Sequence, residues 1–559
     1  MDFINKFALR TSQPASVFPD PEAARAAEDS GRPALPALLG ALLLAALVKA
    51  LLLYFDAVPF NGDEAVVALM ARHILQGARP VFFYGQAYMG SLDAWLVSLA
   101  FRLLGEGVTA IRVVQSALYL LYLLTLWLLA RRLFFDGRVA SAAVWLAAVP
   151  TVLVSTYTTA SLGGYGESLV FGNLILLLGY EVIYGRWQEK GPAWLALGLV
   201  GGLAFWTLGM AGVYLLPVAV LGLLRFGLRR PGAYALAALG FFAGSSPWWA
   251  YNLTHHWAAF GDLGGVLGVE SSLIYRLTGF LLLGIPALLG WRWPWTGSLA
   301  PWPHIVLTLL VYLAAALTAV HLLRHKDDDG PVLSPGAGRL LALFSLVSGG
   351  AIILSHIGID SSGRYFLPLY LPLVLLLALF VARVWRWRAA AGLAAALLII
   401  GANALEIGRA AADPQGLTTQ FDPISAFNNR HDDELMAFLR EQGETRGYSN
   451  YWVTFRLAFL SGEELIFAPH LPYKADLRYN PRDDRYPAYT RLVESSPHTA
   501  YITTQHPRLD ELLRTGFARL EVSFQERQIG PYRVYYGLSR PVRPDELEQA
   551  AGGFTDEHP

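Results

Sequence analysis

Phe60-Asn61-Gly62-Asp63-Glu64-Ala65 follows directly on the first apolar run of the chain, and Tyr84-Gly85-Gln86-Ala87-Tyr88-Met89-Gly90-Ser91 comes after a helical interval of about three turns. Two adjacent carboxylates thus stand where a membrane helix would leave the bilayer. Carboxylates at that depth are costly and are kept for pairing or for function. The aromatic, glycine-rich piece follows on the same side. The layout predicts chemistry at a membrane surface.

The surrounding composition agrees. The chain is 54% hydrophobic and 15% charged, with 16 Trp, and its mean hydropathy is positive. Apolar runs near or above about 18 residues recur and read as spanning helices. Formal net charge is zero, so no basic footprint points to nucleic acid. The absence of cysteine rules out disulfides, a thiolate nucleophile and Cys-ligated zinc.

The spacing predicts about eleven spans, near residues 35–56, 108–130, 139–157, 167–184, 192–208, 210–226, 233–251, 303–324, 339–357, 364–382 and 389–407. Arg-rich connectors fall in alternate loops: Arg131-Arg132 with Arg138, Arg186 with Lys190, Arg225 with Arg229-Arg230, Arg324 with Lys326, and Arg383 to Arg388. Placing them in the cytoplasm satisfies the positive-inside rule. The N-terminus is then cytoplasmic and the C-terminal part extracytoplasmic. The apolar stretches near 92–104 and 274–291 must stay on the outer face, because a crossing there would invert the later loops.

Three parts follow. Residues 1–33, polar and Pro/Ala-rich, read as a disordered cytoplasmic tail. Residues 34–407 form the transmembrane part. Residues 408–559 are polar and rich in Tyr and Arg. In that last part Asp432 to Gln442 and Leu509 to Thr515 read as helices, the second ending at Gly516. Leu465–Phe467, Ala500–Ile502 and Val534–Tyr536 read as short strands. The expected fold is a polytopic α-helical membrane protein with a C-terminal extracytoplasmic α/β domain.

Gly62 and Asp63 suit a turn and an N-cap, with Glu64 in the first helical turn. Val66, Met70 and Ile74 share one face, and Glu64 and Arg72 another. The helix is expected to lie in the interface with its polar side toward a cavity. Taken alone, Asp63 could be only a cap and Glu64 only a partner of the helix dipole.

Gly62-Asp63-Glu64-Ala65, the amphipathic helix, Gly77-x-x-Pro80, the aromatic/glycine piece and Asp93-Ala94-Trp95-Leu96 together resemble the first extracytoplasmic loop of the GT-C glycosyltransferases. The match is closest to the family-39-like group, which includes protein O-mannosyltransferases and lipid A aminoarabinose transferases. Arg112, Arg131-Arg132 and Arg364-Tyr365-Phe366-Leu367-Pro368-Leu369-Tyr370 add to it, and the likeness covers roughly residues 35–407. The resemblance implies an inverting transfer of sugar from a polyprenyl-phosphate donor to an envelope acceptor at the outer face of a membrane, most naturally the bacterial plasma membrane. Displacing phosphate from an anomeric carbon needs a base for the acceptor proton and stabilisation of the leaving anion. By the resemblance, Asp63 is the base or acceptor-orienting carboxylate and Glu64 supports it.

Glu167, after Ser161-Leu162-Gly163-Gly164-Tyr165-Gly166, is the second acidic candidate. Its bland alternative is a solvated interfacial Glu. Arg364, Arg276 and Lys49 are candidates for the donor phosphate, since Arg grips phosphate bidentately. Each could instead snorkel to lipid headgroups. Gln86 and Tyr88, with Tyr365 beside Arg364, are candidates for contacts to sugar or acceptor. The aminoarabinose transferases carry a lysine near the end of the first loop, where this chain reads Tyr88-Met89-Gly90-Ser91-Leu92, which puts phosphate binding by that route in question. No cofactor is demanded. Asp63, Glu167, His356 and Asp360 could offer hard ligands, so a divalent metal stays open. The competing functions are a lipid or polysaccharide transporter, which would more naturally show repeats and broken mid-membrane helices, and a non-catalytic membrane scaffold.

Overall fold

The computed structural model describes residues 35–261, 271–324, 333–422, 424–427 and 429–551. The expected tail at 1–33 lies outside the described residues. Eight of the described helices are long and apolar enough to cross a membrane: Leu35–Tyr54, Val108–Leu133, Tyr165–Ile183, Gly209–Phe226, Trp302–Leu322, Ala337–Leu354, Arg364–Trp387 and Ala389–Ala412. Their outward faces are apolar. Leu35, Leu39, Leu43, Leu47 and Leu51 are all exposed along one side of the first helix. Water would not tolerate a stripe of that kind, whereas hydrocarbon solvates it. The chain is an integral, multi-pass membrane protein.

At the positions of the other three expected spans stand shorter apolar helices. Gly137–Ala148 stops before Pro150 and resumes as Val152–Tyr157, because proline disfavours helical geometry in the residue ahead of it. Pro231–Gly244 stops in the same way before Ser246–Thr254, which has Pro247 in its first turn. Gly191–Thr207 packs backbone to backbone on Pro231–Gly244. A Cβ at Gly198 would stand 1.9 Å from the Ala237 carbonyl oxygen, and one at Gly240 2.2 Å from that of Leu195. Gly202 and Gly244, one turn further along each helix, extend the seam, as small residues do where membrane helices approach closely.

The two stretches expected not to span are short. Leu92–Leu104 has 13 residues, about 20 Å at 1.5 Å per residue against a core of about 30 Å. Leu273–Leu288 is interrupted by a π-helical turn at Phe280–Gly284.

Between the first two spans the helix Gly62–Leu75 is followed by a small hairpin of β1 (Phe82–Phe83) and β2 (Gln86–Gly90). Gly85 makes the turn at φ +69°, and its missing side chain admits the Arg485 backbone. The helix differs from expectation in two ways. Its cap is Asn61, whose side chain accepts from the Glu64 N–H at 3.0 Å, so Asp63 is not needed as a cap. It is also buried on both faces rather than lying in the interface, because the C-terminal region covers it.

That region is built on a five-stranded mixed sheet. Its strands are β3 (Arg446–Tyr448), β4 (Ile466–Ala468), β5 (Ala500–Thr504), β6 (Gln525–Ile529) and β7 (Tyr532–Tyr536), in the order β4-β3-β5-β7-β6. β3 runs parallel to β4 and β5, and β7 antiparallel to β5 and β6. The expected helix Asp432–Gln442 is present and ends at Gly443. The expected stop at Gly516 is not. Pro507–Arg519 runs through it, and the glycine instead makes room for Leu547. Tyr451–Leu460 lies against Gly62–Leu75, close enough that a Cβ at Gly62 would meet the Tyr451 carbonyl at 3.1 Å.

Candidate active site

Asp63 opens into a cavity of about 230 Å³ lined also by Gln86, Tyr88, Tyr157, Tyr165, Arg364, Tyr451, Asp483 and Arg485. Each comes from a rigid feature. Asp63 is in the first turn of Gly62–Leu75, and Gln86 and Tyr88 stand on β2. Tyr157 and Tyr165 flank a loop whose Gly163 and Gly164 have φ of +82° and +94°. Arg364 begins a span-length helix just after the left-handed Gly363. Tyr451, Asp483 and Arg485 descend from the C-terminal region.

The Tyr451 hydroxyl donates to Asp63 Oδ1. Burial pushes the Tyr451 phenol well up, and the nearby Asp63 charge adds to it. The phenol therefore stays a neutral donor. Arg485 lies over the Tyr451 ring, 5.4 Å from its centroid. Both terminal nitrogens of Arg485 donate to the Gln86 amide oxygen at 2.5 and 2.6 Å when the amide is turned to face them, and the amide nitrogen then donates to the Tyr88 hydroxyl at 3.3 Å. The Arg485 Nε is buried without a partner. Asp483 accepts from Asn480 at 3.1 Å. Burial raises its carboxyl to about 6 while Arg485 pulls the other way.

Arg364 stacks on Tyr365 at 5.0 Å and pairs with Asp360 at 3.5 Å. Its Nε is buried without a partner. Tyr365 itself does not line the cavity.

The remaining sequence candidates lie elsewhere. Glu64 is fully buried behind Asp63 and accepts from Arg112 at 2.6 Å and from the Ser161 N–H at 3.3 Å. Burial raises its carboxyl to about 7 against the pull of Arg112. Glu167 is buried close to Asp93, and neither of its carboxyl oxygens has a hydrogen-bond partner among the described residues. Asp93 in turn accepts from Gln115 at 2.9 Å and from the Ser161 hydroxyl at 2.6 Å. Glu167 does not line the cavity. Arg276 spends its guanidinium on the Ile353 and Ser271 carbonyls. Lys49 spends its amine on Thr158 and Thr159 at 2.7–2.8 Å. Neither lines the cavity.

Tyr451, Asp483 and Arg485 were not among the sequence candidates. For Asp483 and Arg485 the local sign is the run Arg478-Tyr479-Asn480-Pro481-Arg482-Asp483-Asp484-Arg485-Tyr486, polar and aromatic without a helical or strand period. Among the described residues, no three His, Asp or Glu side chains group as a metal site. Within the cavity the carboxylates open to a cation are Asp63 and Asp483.

The family model for dolichyl-phosphate-mannose-protein mannosyltransferase matches residues 91–251. In structure the chain is similar to ArnT from Cupriavidus metallidurans bound to undecaprenyl phosphate, with 14% identity and a TM-score of 0.60 over 89% of this chain and 98% of that one. It is also similar to the apo oligosaccharyltransferase of Archaeoglobus fulgidus, with 13% identity and a TM-score of 0.52 over 87% of this chain and 70% of that one. No curated protein matches in sequence. At such identities the likeness is one of fold. The chain has the GT-C fold, as the first-loop resemblance implied.

Proposed function

We propose that this protein is a membrane glycosyltransferase that moves a sugar from a polyprenyl-phosphate donor to an envelope lipid, glycan or protein, with inversion and with Asp63 as the base. The observation that carries the reading is the meeting of Asp63 and Arg364 in one cavity at the end of a span-length helix. Tyr451 holds one Asp63 oxygen, which leaves the other to take the proton of an acceptor hydroxyl as that hydroxyl attacks the anomeric carbon. Arg364 meets the phosphate oxygen as negative charge gathers on it. The lipid tail stays in hydrocarbon while its phosphate sits at headgroup depth. Family-model and fold similarity to proteins of polyprenyl-phosphate chemistry support the reading.

The same reading sets the cavity, the C-terminal region and residue 408 onward outside the membrane, with the Arg-rich loops in the cytoplasm. The experiment is transfer from a radiolabelled undecaprenyl-phosphate hexose to an envelope lipid extract, with the full chain in nanodiscs and the Asp63→Asn variant beside it. Transfer by the wild type and its loss in the variant are expected. Absence of transfer from a panel of such donors would count against the reading. A parallel reaction with chelator shows whether a divalent ion takes part.

A further inference from the structure

The C-terminal region does more in the fold than cover the membrane part. It clamps the helix Gly62–Leu75 at both ends. At the far end, Glu463 pairs with His73 at 3.0 Å and Arg72 at 3.3 Å, and Tyr486 stacks on Tyr84 at 4.8 Å. At the near end the contact is of another kind. It falls on the Asp63 carboxylate itself, inside the cavity, and its donor is rigidly held.

Tyr451 is the first residue of its helix, and Asn450 caps that helix by accepting from the Trp452 and Val453 N–H groups at 3.0 and 3.3 Å. The ring packs against Gly62, where any Cβ would be 3.2 Å from Tyr451 Cε1. Arg485 covers the ring and is anchored to Gln86 on the hairpin. The chain Gln86–Arg485–Tyr451–Asp63 thus links hairpin, C-terminal region and carboxylate through one connected set of contacts.

We infer that Tyr451, held by Arg485, is a positioning residue for the reaction, fixing the Asp63 carboxylate so that one oxygen faces the acceptor. This rests on the proposed function and adds that the C-terminal region completes the catalytic centre. A carboxylate in a helix's first turn can swing about two side-chain torsions. A buried hydroxyl on one oxygen removes that freedom, and orientation of a reacting group is worth rate rather than binding.

The test uses the full chain in nanodiscs with a radiolabelled undecaprenyl-phosphate hexose and an envelope lipid extract. Tyr451→Phe keeps the ring and removes only the hydroxyl. It should lower kcat by about ten- to a hundredfold, the equivalent of one charge-assisted hydrogen bond, with donor KM within about twofold of wild type. Arg485→Gln should do the same more weakly, and Arg485→Lys should recover part of the loss. In the Asp63→Asn background, Tyr451→Phe should have no further effect, because it acts through the missing carboxylate. Thermal unfolding of each variant separates lost fold from lost rate. Wild-type kcat in a folded Tyr451→Phe, or losses that multiply in the double variant, overturn the inference while leaving the glycosyltransferase reading standing. A fully active Asp63→Asn removes Asp63 as the base and overturns the inference with it, whereas absence of transfer by the wild type counts against the glycosyltransferase reading itself.

Discussion

Tyr451 and Asp63 stand 388 positions apart in sequence and are joined by a hydrogen bond from phenol to carboxylate. Each lies in the first turn of a helix, and each helix is capped by an asparagine, Asn450 and Asn61. The two caps have a common consequence. Because asparagine serves the free backbone N–H groups, the side chain behind it is released for other work. Asp63 keeps its carboxylate for the cavity, and Tyr451 keeps its hydroxyl for Asp63.

Asp63→Asn should therefore cut transfer to a small residual rate without unfolding the protein. Loss of a general base costs on the order of 10²–10⁴ in rate, and the amide preserves both shape and the contact with Tyr451. The check is single-turnover transfer with purified variant, alongside its melting temperature. Near wild-type turnover would remove Asp63 from the mechanism.

Glu64→Gln should behave differently. Glu64 lies outside the cavity and faces the buried Arg112. Removing its charge strands that guanidinium, and breaking one side of a buried pair costs roughly 3–5 kcal/mol. The expected result is reduced yield and a lower melting temperature, with residual turnover per folded molecule well above that of Asp63→Asn. An unaltered melting temperature together with lost turnover would return Glu64 to a direct role.

The contrast between these adjacent residues marks how far the sequence could be read. The spans and the Asp-Glu loop were legible because they are local: apolar runs have a length, and carboxylates beside them are conspicuous. The resemblance singled out Asp63 as the base, but that Glu64 turns away from the cavity was not legible, since it depends on Arg112 from another helix and the Ser161 N–H from a loop meeting Glu64. Glu167 was found by its place in a glycine-rich loop, yet it is buried near Asp93 and does not line the cavity. Asp483 and Arg485 arrive through a loop whose position is set by the sheet and by the stack of Tyr486 on Tyr84, a contact with no sequence period to announce it.

Asp483 predicts a pH dependence. Burial raises its carboxyl from 3.8 to about 6 in the folded chain. The folded state therefore favours the protonated form. The stability this gives is complete below about pH 3.8 and is lost as pH rises through about 6. Asp483→Asn, which mimics the neutral acid, should match wild type near the bottom of that window and exceed it above pH 6 by on the order of 2–3 kcal/mol. Melting temperatures of both proteins from pH 4 to 7.5 test this. Parallel curves would show that the carboxyl is not held up.

Orientation in the membrane can be read by cysteine labelling, because the native chain contains none. Ser539 is exposed in the C-terminal region, and Leu228 is exposed in an Arg-rich connector at 84%. Ser539→Cys should react with an impermeant maleimide added outside intact cells, and Leu228→Cys only after lysis. The reverse pattern would place the cavity on the cytoplasmic side and overturn the proposed site of transfer.

The last expectation concerns the phosphate. Of the three cations the sequence offered, Lys49 donates to Thr158 and Thr159 oxygens, and Arg276 donates from Nε and one terminal nitrogen to backbone carbonyls. Only Arg364 lines the cavity, and its buried Nε has no partner. Its salt bridge to Asp360 is long at 3.5 Å, so a phosphate oxygen can compete for the guanidinium. Arg364→Ala should lower kcat/KM for the donor by about ten- to a hundredfold, the value of one charge-assisted hydrogen bond of roughly 1.5–3 kcal/mol. Arg364→Lys should recover only part of this, because lysine keeps the charge and loses the planar fork. The effect should fall on the donor and spare the acceptor, since in an inverting displacement the leaving phosphate departs from the face opposite the base. Donor- and acceptor-titrated kinetics in nanodiscs make the distinction. If Arg364→Ala leaves donor kcat/KM unchanged, Arg364 is a headgroup anchor, and Arg485, the other guanidinium in the cavity, becomes the residue to test for the phosphate.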